Sequence, residues 1–258
     1  MVQARTSIDL NADLGEGGLY DAQMLSLVSS ANIACGGHAG DLQTMRTAVS
    51  IAQEAGVAIG AHPSYPDREN FGRKLMSIPA EQLLPELKRQ VESLQNVADS
   101  LGQKLSHIKP HGALYNQAAF DTELGELVIR LVQEIDPSLH LMVLAASPLA
   151  RRARLAGINV IEEAFADRAY RSDASLVPRT ELGAVLESPD LAVAQCIRLV
   201  REGQILSINK VLVPVSADSI CVHGDGIEAF NVLKQVREAI LIMGVRIAPH
   251  HQHDESTK

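Results

Sequence analysis

Tryptophan is absent, and aromatic residues make up only 3% of the 258 residues. A core built from this chain must rely on Leu, Val, Ile and Ala rather than on stacked rings, which suits helices laid against a parallel sheet. Cysteine is scarce: Cys35, Cys196 and Cys221 are odd in number, far apart and outside any C-x-x-C spacing. That pattern argues against a disulfide framework or a zinc ribbon and fits a reducing cytoplasm. No stretch approaches the roughly 18 to 20 apolar residues of a membrane span, and no charged segment followed by an apolar run opens the chain. Neither a membrane partner nor export is expected. Long basic runs are missing too, and the formal charge of −8 argues against nucleic acid, since a phosphate backbone needs a basic face. The chain also lacks G-x-x-x-x-G-K-[ST], so no recognisable P-loop offers a cradle for nucleotide phosphates.

What is present is a hydrophobic content of 46%, enough for a large core in one domain. Short apolar or alternating runs at residues 8–14, 32–35, 57–61, 107–109, 141–145, 159–162 and 219–223 read as strands. Helical faces lie between them: Leu42, Met45, Val49 and Ala52; Leu84, Leu87, Val91, Leu94, Ala98 and Leu101; Leu124, Leu127, Val128, Leu131 and Ile135; and Phe230, Leu233, Val236 and Ile240. Asp41 reads as a helix cap and Gly56 as a helix end, while Ser147-Pro148 and Ser188-Pro189 read as caps followed by a first-turn proline. The alternation predicts an α/β fold, a β/α barrel of about seven parallel strands. Residues 206–223 interrupt it with two apolar runs around Pro214, a hairpin or a local insertion. One barrel domain is expected over residues 1–248. The His-rich segment 249–258 has no periodicity and is expected to be disordered.

Polar residues collect just after the apolar runs, at the strand ends where α/β enzymes place their sites. Asp9, Asn11 and Asp13 alternate along the first strand and share a face. With Ile8, Leu10, Ala12 and Leu14 free to pack on helices, that face points into the barrel, as a satisfied polar layer or as a site. After the second strand, residues 35–41 form a glycine-rich turn carrying His38, where Cys35 reads as a small buried hydrophobe and Asp41 as a cap. After the third come His62, then Arg68 and Arg73 on a loop, either solvated or a clamp for a carboxylate or phosphate. Lys109 and His111 follow the fourth strand, close to His107. Glu162, Glu163, Asp167, Arg168 and Tyr170 belong to the sixth segment, and His223, Gly224, Asp225 and Gly226 to the seventh. None of these groups has a strict metal spacing such as H-E-x-x-H, so a divalent metal held by dispersed His and Asp stays an open alternative.

Residues 8–17 (IDLNADLGEG), 30–36 (SANIACG) and 60–64 (GAHPS) resemble the LamB/YcsF family. So do 107–116, 165–170 (FADRAY), 175–179 (SLVPR) and 222–225 (VHGD), in the same order. The resemblance covers roughly residues 7–248. It implies a β/α barrel akin to sugar deacetylases and a subunit of ATP-dependent 5-oxoprolinase, which with two partner subunits converts 5-oxo-L-proline to L-glutamate. ATP would then be a co-substrate handled by the partners or by an unrecognised site on this barrel. A homo-oligomer is compatible with it. Asp13 is expected to be the general base, with His38, His62, His111 and His223 as proton donors or stabilisers. Lys109 or an arginine would hold the substrate carboxylate, and Asn11, Glu16, Arg68, Arg73, Asp167, Arg168 and Asp225 would complete the substrate site. Two alternatives stand beside it: a metal-dependent amidase or deacetylase, and a non-catalytic lactam-binding subunit. One position departs from the pattern: Gly37 stands where family members usually carry phenylalanine, a ring that would wall the pocket.

Overall fold

A computed structural model describes residues 5–186, 188–223 and 227–250. Seven parallel strands, β1 (Ser7–Leu14), β2 (Ser30–Ala34), β3 (Ala58–His62), β4 (Leu105–Ile108), β5 (His140–Leu144), β6 (Asn159–Phe165) and β9 (Ser219–Cys221), pair in that order. The barrel closes because β9 pairs with β6 on one side and with β1 on the other. The apolar runs between residues 206 and 223 resolve into an antiparallel hairpin of β7 (Gln204–Leu206) and β8 (Leu212–Pro214), followed by β9 itself. Pro214, which has no N–H to donate, sits at the hairpin's open end opposite Gln204. A two-residue strand, β10 (Arg246–Ile247), extends the sheet beside the start of β1.

The helices cover the barrel as their apolar faces require. Helix α2 (Leu42–Ala55) is capped by Asp41, whose side chain accepts from the Thr44 amide, and it ends on Gly56 in the left-handed conformation. Its buried face is Met45, Ala48, Val49 and Ala52, whereas Leu42, grouped with that face by spacing, is exposed. Helices α3 (Ala80–Ser100), α5 (Thr122–Ile135), α6 (Pro148–Leu155), α7 (Pro189–Glu202) and α8 (Ile227–Ile242) follow the sequence signals. Two elements carry no such signal: the one-turn helix α1 (Asp21–Leu25) and α4 (Gly112–Phe120). Pro249 is buried and the His250 ring packs against His140, so these two residues are ordered parts of the fold. The rest of the proposed tail, 251–258, lies outside the described residues.

Inside the barrel the side chains are layered. Asn11 donates to Glu163 on β6, which is not a neighbour of β1 in the sheet, so the bond must cross the interior. Asp9 forms the lowest layer, receiving hydroxyls from Ser29, Ser30 and Ser219. Burial raises its proton affinity more than those donors lower it. Above it lies a network of Asn11, Asn32, Glu163 and His107. Ile8, Leu10, Ala12 and Leu14 join the outer core between sheet and helices.

The middle layer explains Gly60. A Cβ there would lie 2.2 Å from His107 Nε2, and His107 is fixed by Asn32 at 2.7 Å and Ser106 at 2.8 Å. Gly60→Ala should therefore destabilise the chain by about 1 to 3 kcal/mol through overpacking. Urea unfolding measures it, and an unchanged midpoint would show that the layer yields.

Candidate active site at the barrel mouth

Asp13, Glu16, His38, His62, Lys109, His111, Asp167, Arg168 and His223 all lie at or just beyond the C-terminal ends of strands. Asp13, Glu16, His62, Arg73, Lys109, His111, Asp167, Arg168 and His223 line one cavity of about 950 Å³ together with Phe165 and Arg179. Asp225 falls outside the described residues.

At its floor, Lys109 Nζ lies 2.8 Å from Asp13 Oδ1 and 2.7 Å from Glu163 Oε1, with the lysine only 1% exposed. Burial works against its charge, but Asp13, Cys221 and Glu163 more than offset this and hold its pKa well above the lysine range. Lys109 is thus already engaged by two carboxylates, which argues against the expected role of clamping a substrate carboxylate. Asp13 also faces His62 Nε2 at 3.3 Å and His223 Nε2 at 3.5 Å. Burial would raise its proton affinity; His62, Lys109 and His223 outweigh that and hold it well below the usual carboxylate range. A carboxylate so stabilised is a weak proton acceptor. Cys221, 3.4 Å from Lys109, stays a thiol because burial pushes its pKa well up.

His223 stands differently. Its Nδ1 is 3.3 Å from Asp167 Oδ1, its ring stacks on Phe165 with centroids 4.6 Å apart, and its side chain is 17% exposed. An imidazole set between two carboxylates, Asp167 on Nδ1 and Asp13 beyond Nε2, and open to a cavity can carry protons to and from a ligand.

The third cluster comes from the loops after β1, β2, β3 and β4. His38 and His111 stack at 3.6 Å between centroids, and His38 Nε2 is 2.9 Å from Glu16 Oε1. Close loop approach makes this possible. Gly72 and Gly112 both have positive φ, and a Cβ on Gly112 would meet the Gly72 carbonyl oxygen at 2.7 Å. Phe71 also takes a left-handed φ of 56°, a strained setting for a bulky residue, and its carbonyl faces His111 Nε2 at 2.9 Å. Burial, followed by His62, pushes His38 down to about 2 and His111 well below the histidine range, so both rings are neutral.

Among the described residues, two groups of donors are compact enough for a cation: Glu16, His38, His62 and His111, and Asp13, Cys221 and His223. The second already has the Lys109 ammonium against Asp13 and Cys221, which competes with a metal there.

Several expected site residues sit elsewhere. Asn11 is fully buried beneath the floor. Arg68 Nη1 donates to the carbonyls of Gly36 and Gly40, tying down the loop after β2, so it does not pair with Arg73 as a clamp. Arg73 lies over the Phe71 ring, 4.8 Å from its centroid. Arg168 lines the cavity but donates to Ala184 and Val177 carbonyls; burial, then Arg179, lowers it to about 10. Gly37 is not a wall of the cavity: a Cβ there would lie 2.4 Å from Gln90 Oε1 and Ser64 Oγ. Glu163, noted only among the polar residues of the sixth segment, joins the site, as does Asn32, which is not singled out among the sequence candidates although it shares with Ser30 the polar alternation seen along β1.

The chain has known relatives. The chain is 48% identical over 241 residues to a 5-oxoprolinase subunit from Erwinia tasmaniensis, covering 93% of this chain and 98% of that one. A lactam utilization protein from Thermus thermophilus superposes with a TM-score of 0.86 at 37% identity, covering 94% of this chain and 99% of the other. A substrate-bound structure named T48 deacetylase shares the fold, with a TM-score of 0.50 at 14% identity, covering 100% and 96%. The sequence pattern of LamB/YcsF matches residues 8–255, and the chain belongs to the LamB/YcsF family.

Proposed function

We propose that this barrel is the lactam-opening subunit of an ATP-dependent 5-oxoprolinase, working in the cytoplasm with partner subunits that handle ATP and releasing L-glutamate. The observation that carries the reading is the Asp167–His223–Asp13 line on the cavity floor. Opening the ring breaks the C–N bond of the amide, adds the oxygen of water to the carbonyl carbon and gives the leaving nitrogen a proton. His223 takes the proton from water and returns it to the nitrogen, with Asp167 fixing its Nδ1. Asp13 is assigned an anchoring role rather than that of the base, because its proton affinity is held down by Lys109 and the two histidines. Its fixed charge orients His62 and His223 and favours positive charge developing on His223. Arg179, on the cavity wall, is the cation assigned to the carboxylate of 5-oxoproline.

An unstrained amide is stable, so its opening benefits from ATP, and the sequence has no P-loop. Purified chain given ATP and 5-oxoproline should release negligible glutamate. Stoichiometric ATP-dependent release by this chain alone would sink the division of labour and put a nucleotide site on the barrel.

A further inference from the structure

Arg168 is a buried charge with no carboxylate against it. It is 4% exposed, and among the described residues neither Arg168 nor Arg179 forms an ion pair. Arginine is almost never buried so fully unless something compensates its charge. Both arginines feel the charge of Asp167, but that carboxylate is turned to His223 Nδ1 at 3.3 Å. Burial, then the charge of Arg179, lowers Arg168 to about 10, so it stays a cation at neutral pH.

The loop after β6 holds this cation in a fixed pose. Amides of Ala169, Val177 and Leu186 donate to the carbonyls of Ala184, Ala169 and Asp167, folding the loop on itself around a small core of Ala169, Val177 and Ala184. Arg168 Nε donates to the Ala184 carbonyl at 3.2 Å and Nη2 to the Val177 carbonyl at 2.6 Å. Those two bonds take up one edge of the guanidinium. Its Nη1 makes no bond among the described residues, and Arg168 lines the cavity. Arg179 follows Val177 by two residues and lines the same cavity, so the bond to Val177 brings the two guanidiniums to one wall.

We propose that Arg168 and Arg179 form one oxyanion subsite, which holds the ring carboxylate between two guanidiniums and makes the cavity selective for lactams carrying a carboxylate beside the ring nitrogen. This subsite rests on the ring-opening reading, which uses Arg179 alone, and adds Arg168 as a specificity-determining residue. Arg179 is exposed, and an exposed arginine acting alone gains little because solvent screens it. A buried guanidinium already aligned by backbone carbonyls is the stronger donor to a carboxylate. The position also suits the chemistry. In 5-oxoproline the carbon that bears the carboxylate is bonded to the ring nitrogen, and Arg168 adjoins Asp167, which holds His223. A carboxylate seated there puts the nitrogen on the side of the imidazole that must protonate it.

The test uses full-length chain with no nucleotide, partner or turnover, so it can fail while ring opening by the complete set of subunits stands, and the reverse holds too. Nuclear magnetic resonance titration follows binding of 5-oxoproline, of inorganic phosphate and of 2-pyrrolidinone, the same ring without the carboxylate. The wild-type chain should bind 5-oxoproline about 100-fold more tightly than 2-pyrrolidinone. Arg168→Gln should weaken 5-oxoproline binding about 100-fold, and Arg168→Lys, which keeps the charge and loses the fork, about 10-fold. Arg179→Gln should weaken it about 10-fold. None of the three should change the affinity for 2-pyrrolidinone, which a merely loosened loop would change. Circular dichroism checks folding, and should Arg168→Gln not fold, Arg168→Lys and Arg179→Gln carry the test. Equal affinity of the wild-type chain for both lactams, or unchanged 5-oxoproline binding in folded Arg168→Lys and Arg179→Gln, overturns the subsite. Phosphate binding that needs both arginines, beside 5-oxoproline binding that needs neither, overturns it as well and gives the pair to a phosphoryl group.

Discussion

Asp13→Asn should lower ATP-coupled glutamate release by the complete set of subunits about 100- to 10,000-fold, the range for losing a preorganised charge or its proton-transfer partner. Asparagine keeps the shape and removes the charge that faces Lys109, His62 and His223. Lys109 keeps Glu163 at 2.7 Å, so the variant should fold and assemble, and size-exclusion chromatography checks that it does. The loss should fall on kcat more than on KM, because the interaction strengthens as His223 becomes charged. Turnover near that of wild type would remove Asp13 from the mechanism.

Lys109→Met should destabilise the chain by about 3 to 5 kcal/mol, the cost of leaving buried charge without its partner. Asp13 and Glu163 would face one another across the floor with the ammonium gone, and Glu163 is completely buried. Adding Glu163→Gln to Lys109→Met should recover part of the loss, since one of the stranded charges is then removed. Urea unfolding of the wild type, both single variants and the double variant gives the coupling directly. Additive effects would mean that the lysine and the glutamate do not act as a pair.

Much of the barrel is legible in the sequence because its strands are short and apolar between helices with one apolar face. On β1 the parity argument is enough: Asp9, Asn11 and Asp13 go inward and their neighbours pack on helices. The face is not uniform: Asp9 is a satisfied layer, whereas Asp13 lines the cavity. Parity fails on β6, where two glutamates are adjacent and either could point in. Only the closed barrel separates Glu162, paired outside with Arg154, from Glu163, paired inside with Lys109.

Helix α4 escapes sequence reading for another reason. It buries Ala113, Leu114, Tyr115, Ala118 and Ala119, an apolar surface too wide to read as one helical stripe. The histidine cluster is visible as residue types, but its tautomers depend on the carbonyls of Lys109 and Phe71. No side-chain pattern records where a backbone carbonyl will lie. Arg68 shows the opposite limit, since its sequence neighbourhood suggests a clamp and its contacts are with loop carbonyls.

The central claim, that this barrel opens the ring, is tested most directly by leaving it out. Partner subunits given ATP, 5-oxoproline and ¹⁸O-labelled water should form almost no glutamate; adding this chain should restore labelled glutamate in equal amount to ADP, and adding the Asp13→Asn chain should not. Full-rate glutamate formation by the partners alone, or an added barrel that lowers KM without raising kcat, would contradict the account and leave the chain a carrier of the lactam.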